Sequence, residues 1–196
     1  MKAHLNGVDL YVESRGDAGP PVVLVHGSRG DHHTWDAVLP LLARRCRVTA
    51  YDRRGHGQSD QSNVHGMRED AADLGALIEQ LAIVPAHVVG NGVGATVVLL
   101  LVIERPELFA SAAVHEPNPR SLDVDRLASY GGPLLMTNGD QSPPSVIEML
   151  DEISDALPRT QRYIFRRAGD APHVTHPDDF ALVVGSFIQG VAGAAS

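Results

Sequence analysis

The chain alternates short apolar runs with longer stretches in which apolar residues recur every three or four positions. Six runs read as strands covered on both faces: "PPVVLVHG" at 20–27, "CRVTAYD" at 46–52, "AHVVG" at 86–90, "ASAAVHE" at 110–116, "PLLMTNG" at 133–139 and "QRYIFRR" at 161–167. A strand buried on both sides has no polar face to alternate with, so it appears as a continuous run. Between the runs, Met67, Ala71, Leu74, Leu77, Ile78 and Leu81 share one helical face. Val146, Ile147, Leu150, Ile153 and Leu157 form a second face, opened by Pro143 and Pro144, and Phe180, Val183, Val184, Phe187 and Ile188 a third, after Pro177. A three-to-four spacing buries one side of a helix, and proline suits its first turn. Near the start, Asn6-Gly7 separates two alternating segments and predicts a hairpin, because both residues tolerate positive φ. The whole pattern predicts an α/β fold: a doubly wound, mostly parallel sheet of about eight strands opened by an antiparallel hairpin. One domain spanning 1–196 is expected.

Composition narrows the partners. The net charge of −8 comes with no long basic run, which argues against nucleic acid and anionic membrane surfaces. No apolar run approaches the ~18 residues that span a bilayer, and the polar N-terminus lacks a signal pattern; a soluble, cytoplasmic protein is expected. A lone cysteine, Cys46, cannot form a disulfide or a thiolate zinc site within one chain.

In a parallel sheet of this kind, ligands bind beyond the carboxyl ends of the strands. The residues there are rich in histidine, carboxylate and amide: His26 to His33, Asp52 to Ser59, Gly90 to Gly94, His115 to Asn118, Asn138 to Ser142 and Gly169 to His176. Four of these stretches carry more specific patterns. "VVLVHGSRGDHHTWDAVLPLL" joins a strand to a His-Gly loop, "YDRRGHGQSD" follows a D-x-R-G-x-G-x-S pattern, and "VVGNGVGA" is a strand, glycine turn and helix start, followed by "ERPELFASAAVHEP". With these segments the chain resembles the α/β-hydrolase-fold family over nearly its full length.

The resemblance implies a serine nucleophile in the glycine turn, a histidine base and an acid that orients it. Gly92 occupies the nucleophile position, which leaves that role vacant. Asp170 falls where the histidine is expected, read back from Pro177. Ser142 falls where the acid commonly follows "PLLMTNG", with Asp140 two residues earlier, and Glu116 matches an alternative acid in an "EP" pair. Oxyanion donors need no side chain and are expected at the Ser28 and Val93 backbone N–H groups. The resemblance further places His26, Trp35, Asn91, Asn118, Ser142 and His173 around a substrate pocket. Residues 117–132 form a short remnant in place of the family's cap, so the pocket is expected to be lidless or covered by a second copy in a homodimer.

Each residue also has a plainer reading. Gly92 relieves a strained turn, Asp170 is a solvated loop carboxylate, Glu116 ends a strand, Asn91 satisfies a turn, His26 shapes the oxyanion loop, Trp35 anchors a helix and His56 serves turn chemistry. The leading functional expectation is a non-serine enzyme acting on a small carbonyl-containing molecule by general acid/base proton transfer, of cyclase, isomerase or lyase type. Asp170 would carry the proton and Glu116 assist it, since two carboxylates sharing a site resist being charged together. Two alternatives stand beside it: a catalytically silent relative that binds a ligand or protein partner, and a hydrolase using water activated by Asp170 or His173. No cofactor and no metal are expected, because His32-His33 and His173-x-x-His176 match no zinc spacing.

Overall fold

A computed structural model describes residues 1–118, 122–157 and 160–194. Its opening hairpin joins β1 (Lys2–Leu5) to β2 (Val8–Arg15) through Asn6 and Gly7 at φ 48° and 78°, the two-residue turn that matches strand twist. Six more strands follow: β3 (Pro21–Val25), β4 (Arg47–Tyr51), β5 (Ala86–Asn91), β6 (Phe109–His115), β7 (Leu134–Gly139) and β8 (Thr160–Phe165). They complete an eight-stranded sheet in the order β1-β2-β4-β3-β5-β6-β7-β8, antiparallel through β2–β4 and parallel from there on. The carboxyl ends of β3 to β8 therefore open on one edge, where the candidate chemistry was expected.

Helices cover both faces. On one side lie α2 (Met67–Gln80), α3 (Val93–Glu104), α4 (Val124–Leu127) and α5 (Pro144–Ala156), which bury Leu74, Leu77, Val98, Leu127 and Leu150 against Val23, Val88 and Val114. On the other, α1 (Leu39–Leu42), Trp35 and α7 (Pro177–Ala194) pack Leu39, Leu42, Phe180, Val184 and Ile188 against Leu24, Ala50 and Val89. A further short helix, α6 (Pro172–Thr175), precedes α7. The buried positions of α2 and α7 follow the periodic faces read from sequence. α3 is apolar all round because it is wedged between the sheet, α2 and α4, and a helix without a wet side loses its polar stripe.

One expectation changes. "QRYIFRR" reads as a doubly covered strand, yet β8 is the sheet's last strand, with Tyr163 and Ile164 exposed; β7 flanks it on one side only, so its apolar residues are not enclosed. In the 117–132 segment, α4 stands where a cap would be and packs on α3 and α5; residues 119–121 lie outside the described set. No helix among the described residues is long and apolar enough to cross a membrane.

Candidate active site

The turn between β5 and α3 is built by glycines for two different reasons. A Cβ on Gly94 would come within 2.3 Å of the Val25 carbonyl oxygen and 2.5 Å of the His26 one, so only hydrogen lets α3 sit this close to β3. Gly92 differs: its φ is +56°, the left-handed region, but a Cβ there would meet nothing within 4 Å. The backbone turns as sharply as a nucleophile elbow requires, and the space above it is empty. Gly92 caps α3 without any side-chain hydrogen bond. The Val93 N–H, first in the helix, has no intrahelical acceptor and carries the positive end of the helix dipole.

Asp170 reaches this turn through its backbone. The Asn91 side-chain amide donates to the Asp170 carbonyl oxygen at 2.8 Å, and the preceding carbonyl, of Gly169, accepts from His115 Nε2 at 3.1 Å. Two anchors thus dock the Asp170 loop on the ends of β5 and β6, while the residue itself stays exposed. His115 is buried, with Thr137 Oγ1 2.9 Å from its Nδ1. A carbonyl has no proton to give, so Nε2 carries it and Nδ1 accepts from the threonine hydroxyl. Burial pushes the His115 pKa down to about 3, which keeps the ring in this neutral form.

Glu116 completes the corner. Its Oε1 lies 3.5 Å from the same His115 nitrogen, accepts from the Gly139 N–H at 3.4 Å and accepts a short hydrogen bond from the Ser142 hydroxyl. Ser142, at the expected acid position, therefore binds the carboxylate that β6 supplies. Glu116 adopts φ +48° to do so, a conformation that costs an ordinary side chain roughly 1 kcal/mol or more. Asn118 is held nearby, its main-chain N–H donating to Thr96 Oγ1 at 2.7 Å.

On the opposite side of the turn stands the loop after β3. His26 is fully buried; its Nδ1 donates to the Gly27 carbonyl at 2.8 Å and its Nε2 accepts from the Arg53 N–H at 3.0 Å. Burial, then the Arg53 charge, push its pKa down to about 3. The Arg53 guanidinium clamps the same loop, donating to the carbonyls of His26 at 3.2 Å and Gly27 at 2.9 Å and pairing with Asp70 at 2.5 Å. Beyond the loop, Ser28 and Val93 both line an open cleft of about 320 Å³, whose other walls include Arg53, His56, His65 and Met67.

The alpha/beta hydrolase fold family matches residues 20–130, more than half of the chain. This chain belongs to that family. It is 36% identical over 114 residues to the uncharacterized hydrolase YraK of Bacillus subtilis, covering 57% of this chain and 42% of YraK. It is 32% identical over 140 residues to the putative non-heme bromoperoxidase BpoC of Mycobacterium tuberculosis, covering 70% of this chain and 53% of BpoC. The chain thus spans about half the length of the curated relatives it matches. A predicted CIB-like hydrolase from Thermoplasma acidophilum superposes with a TM-score of 0.89 over 97% of each chain at 16% identity, a likeness of fold.

Within this alpha/beta hydrolase fold, the expected site residues divide into three groups. Gly92, Asn91, Asp170, Glu116, Ser142, Ser28 and Val93 lie at the carboxyl edge around the elbow, with Asn118 against α3. His26, Trp35 and His173 correct the expected pocket lining. His26 is spent on holding the loop after β3. Trp35 and His173 are buried with ring centroids 4.5 Å apart, a packed layer over Phe180. Burial lowers the His173 pKa to about 4, against the opposing pull of the Asp170 charge. A base for water activation needs an accessible nitrogen, which this buried ring does not offer.

Sequence reading did not single out His115, Arg53 or the pair of Arg54 with Asp73 at 2.7 Å. His115 was signalled only by its place at a strand's carboxyl end. Arg53 had the same positional signal, within the Asp52 to Ser59 stretch, but its acidic partner is seventeen residues away on another element. Asp31, His32 and Asp52 bring three metal-ligating atoms within 4.8 Å. Yet Asp52 Oδ1 already receives both the N–H and the ring nitrogen of His32, at 2.6 and 2.7 Å, and its Oδ2 the Gln58 N–H at 2.8 Å. That cluster is explained by loop geometry.

Proposed function

We propose that this protein is a non-serine member of its family, acting on a small carbonyl-containing molecule by proton transfer rather than nucleophilic attack. The carrying observation is the docking of Asp170 on the elbow through Asn91, with Gly92 leaving open space beside it. Gly92 has no atom that can attack, and Asp170, unlike a histidine, offers no imidazole to activate one. A carbonyl oxygen seated on the Ser28 and Val93 N–H groups would have its enolate form stabilised as negative charge develops. Asp170 then accepts the proton from the adjacent carbon and returns it elsewhere, which describes an isomerase, cyclase or lyase. Glu116 holds negative charge at the neighbouring corner, fixed by Ser142 and Gly139.

The test is exchange of carbon-bound hydrogen. Small ketones, lactones and esters incubated with the protein in D2O should lose α-proton NMR signals faster than in buffer. Asp170→Asn should abolish that acceleration with the fold intact by circular dichroism. Exchange that persists undiminished in the variant removes Asp170 from the mechanism.

One observation favours a second reading, a silent ligand-binding protein. The Glu116 carboxylate is already satisfied by Ser142 and Gly139, as a structural carboxylate would be. Ligand binding without exchange in any carbonyl compound selects that reading.

A further inference from the structure

The cleft beside the oxyanion donors has walls that nothing in the proton-transfer reading uses. Its floor holds two guanidinium groups, but both are neutralised in place: Arg53 by Asp70 at 2.5 Å, and Arg54 by Asp73 at 2.7 Å. Both ion pairs are buried, so neither cation is free to receive an anion. An anionic ligand would give up its hydration without gaining a partner charge, which is costly. Met67, Val93 and the Gly55 and Gly66 backbone supply the apolar and neutral parts of the wall.

Gln61, Ser62 and two imidazoles supply the polar part. His56 Nδ1 lies 2.9 Å from the Arg54 carbonyl oxygen, and His65 Nδ1 lies 3.2 Å from the Ser62 carbonyl oxygen. Carbonyls only accept, so each Nδ1 donates. His56 Nε2 is already engaged, 3.4 Å from Arg53 Nη2 and 3.3 Å from the Ser28 carbonyl oxygen, which leaves His65 Nε2 as the histidine acceptor. The cleft therefore presents hydrogen-bond donors at one end, from Ser28 and Val93, and the His65 acceptor along its wall. At about 320 Å³ it has room for a molecule displacing about ten waters.

We infer that the substrate is a neutral, hydroxylated carbonyl compound, with its carbonyl oxygen on the Ser28 and Val93 N–H groups and its hydroxyl donating to His65. This inference rests on the proposed oxyanion site and names the substrate class for it. Carboxylates are disfavoured because the cleft's charges are already balanced, and unhydroxylated carbonyls because they leave the His65 imidazole unmatched.

The experiment measures binding, so it does not depend on turnover. Saturation-transfer NMR titrations use α-hydroxy-γ-butyrolactone, γ-butyrolactone and lactate as probes, with the wild-type protein and Asp170→Asn. The hydroxylated lactone should bind at least fivefold more tightly than either other probe, and equally to both proteins. His65→Phe, an exposed position, should erode that preference at least threefold while γ-butyrolactone binding holds. Met67→Trp should fill the cleft and abolish binding of the hydroxylated lactone. Lactate binding as tightly as the hydroxylated lactone overturns the inference, as does a preference that survives His65→Phe. Such a failure with Asp170-dependent exchange intact leaves the proton-transfer reading standing; Asp170-independent exchange with the preference intact does the reverse.

Discussion

Asn91 donates its side-chain amide to the Asp170 main-chain carbonyl at 2.8 Å, tying the end of β5 to a loop seventy-nine residues later. The bond is made by the residue next to Gly92, so it anchors the Asp170 main chain at the turn. It also makes Asn91 a positioning residue. Asn91→Ala should cost about 1 kcal/mol of stability, the net value of one such hydrogen bond. It should lower proton exchange by tenfold or more, because a misplaced base loses reach faster than the fold loses stability. Paired urea melts and exchange rates check this: an equal, small effect on both would make the bond purely structural.

Gly92→Ser tests whether the elbow is sterically ready for a nucleophile. A Cβ would meet nothing within 4 Å, while φ is +56°, so the expected cost is about 1 kcal/mol of backbone strain. Alone, the serine lacks a base. Combined with Asp170→His, it would stand beside an imidazole on the loop that Glu116 and His115 flank. The double variant should hydrolyse p-nitrophenyl acetate at least tenfold faster than either single change.

Gly94→Ala should behave in the opposite way. Its Cβ would meet the Val25 and His26 carbonyl oxygens at 2.3 and 2.5 Å, and backbone atoms cannot step aside as a flexible side chain can. A loss of about 3 kcal/mol is expected, read as a lower melting temperature or insoluble expression. A melting temperature within 2 °C of wild type, roughly 0.5–1 kcal/mol at this size, would mean the elbow relaxes easily.

Arg53→Met removes the clamp on the loop after β3 and leaves Asp70 buried without its cation. Breaking one side of a buried pair costs about 3–5 kcal/mol. Replacing both, with Asp70→Leu added, should recover a good part of the stability, because the uncompensated charge is gone. Chemical denaturation of the single and double variants separates the two contributions.

Acid should destabilise the fold early. Burial holds the pKa of His26 and His115 near 3 and that of His173 near 4, whereas an unfolded chain protonates histidine near 6.5. The folded state refuses protons that the unfolded state takes up, so stability falls as pH drops below about 6.5 and goes on falling toward the folded values. Melting temperatures should be flat from pH 8 to 7 and decline between 6 and 4. His115→Gln, which cannot charge, should flatten that decline.

Much of this architecture is legible before any fold is known. The Asn6-Gly7 hairpin, the apolar strand runs, the faces of α2 and α7 and the glycine elbow all rest on local rules: side-chain period, turn conformation and the space a backbone needs. Those rules act over a few residues, so a linear pattern carries them. The same pattern placed Gly92, Asp170, Glu116 and Ser142 at one edge, because parallel strands deliver their carboxyl ends together.

Tertiary structure decided what those residues meet. His26, His173 and Trp35 occupy loop positions that resemble pocket walls in the sequence; packing of Trp35 and His173 with Phe180 of α7 buries those two, and Arg53 holds His26 in the interior. Arg53 and Arg54 find Asp70 and Asp73 only once α2 comes against the loop after β4, which turns an apparently cationic loop into a balanced one. Glu116 reaches Ser142 only because its left-handed φ turns the chain back toward β7. Each depends on the register between elements distant in sequence, and a side chain's partner, unlike its periodicity, is set by that register.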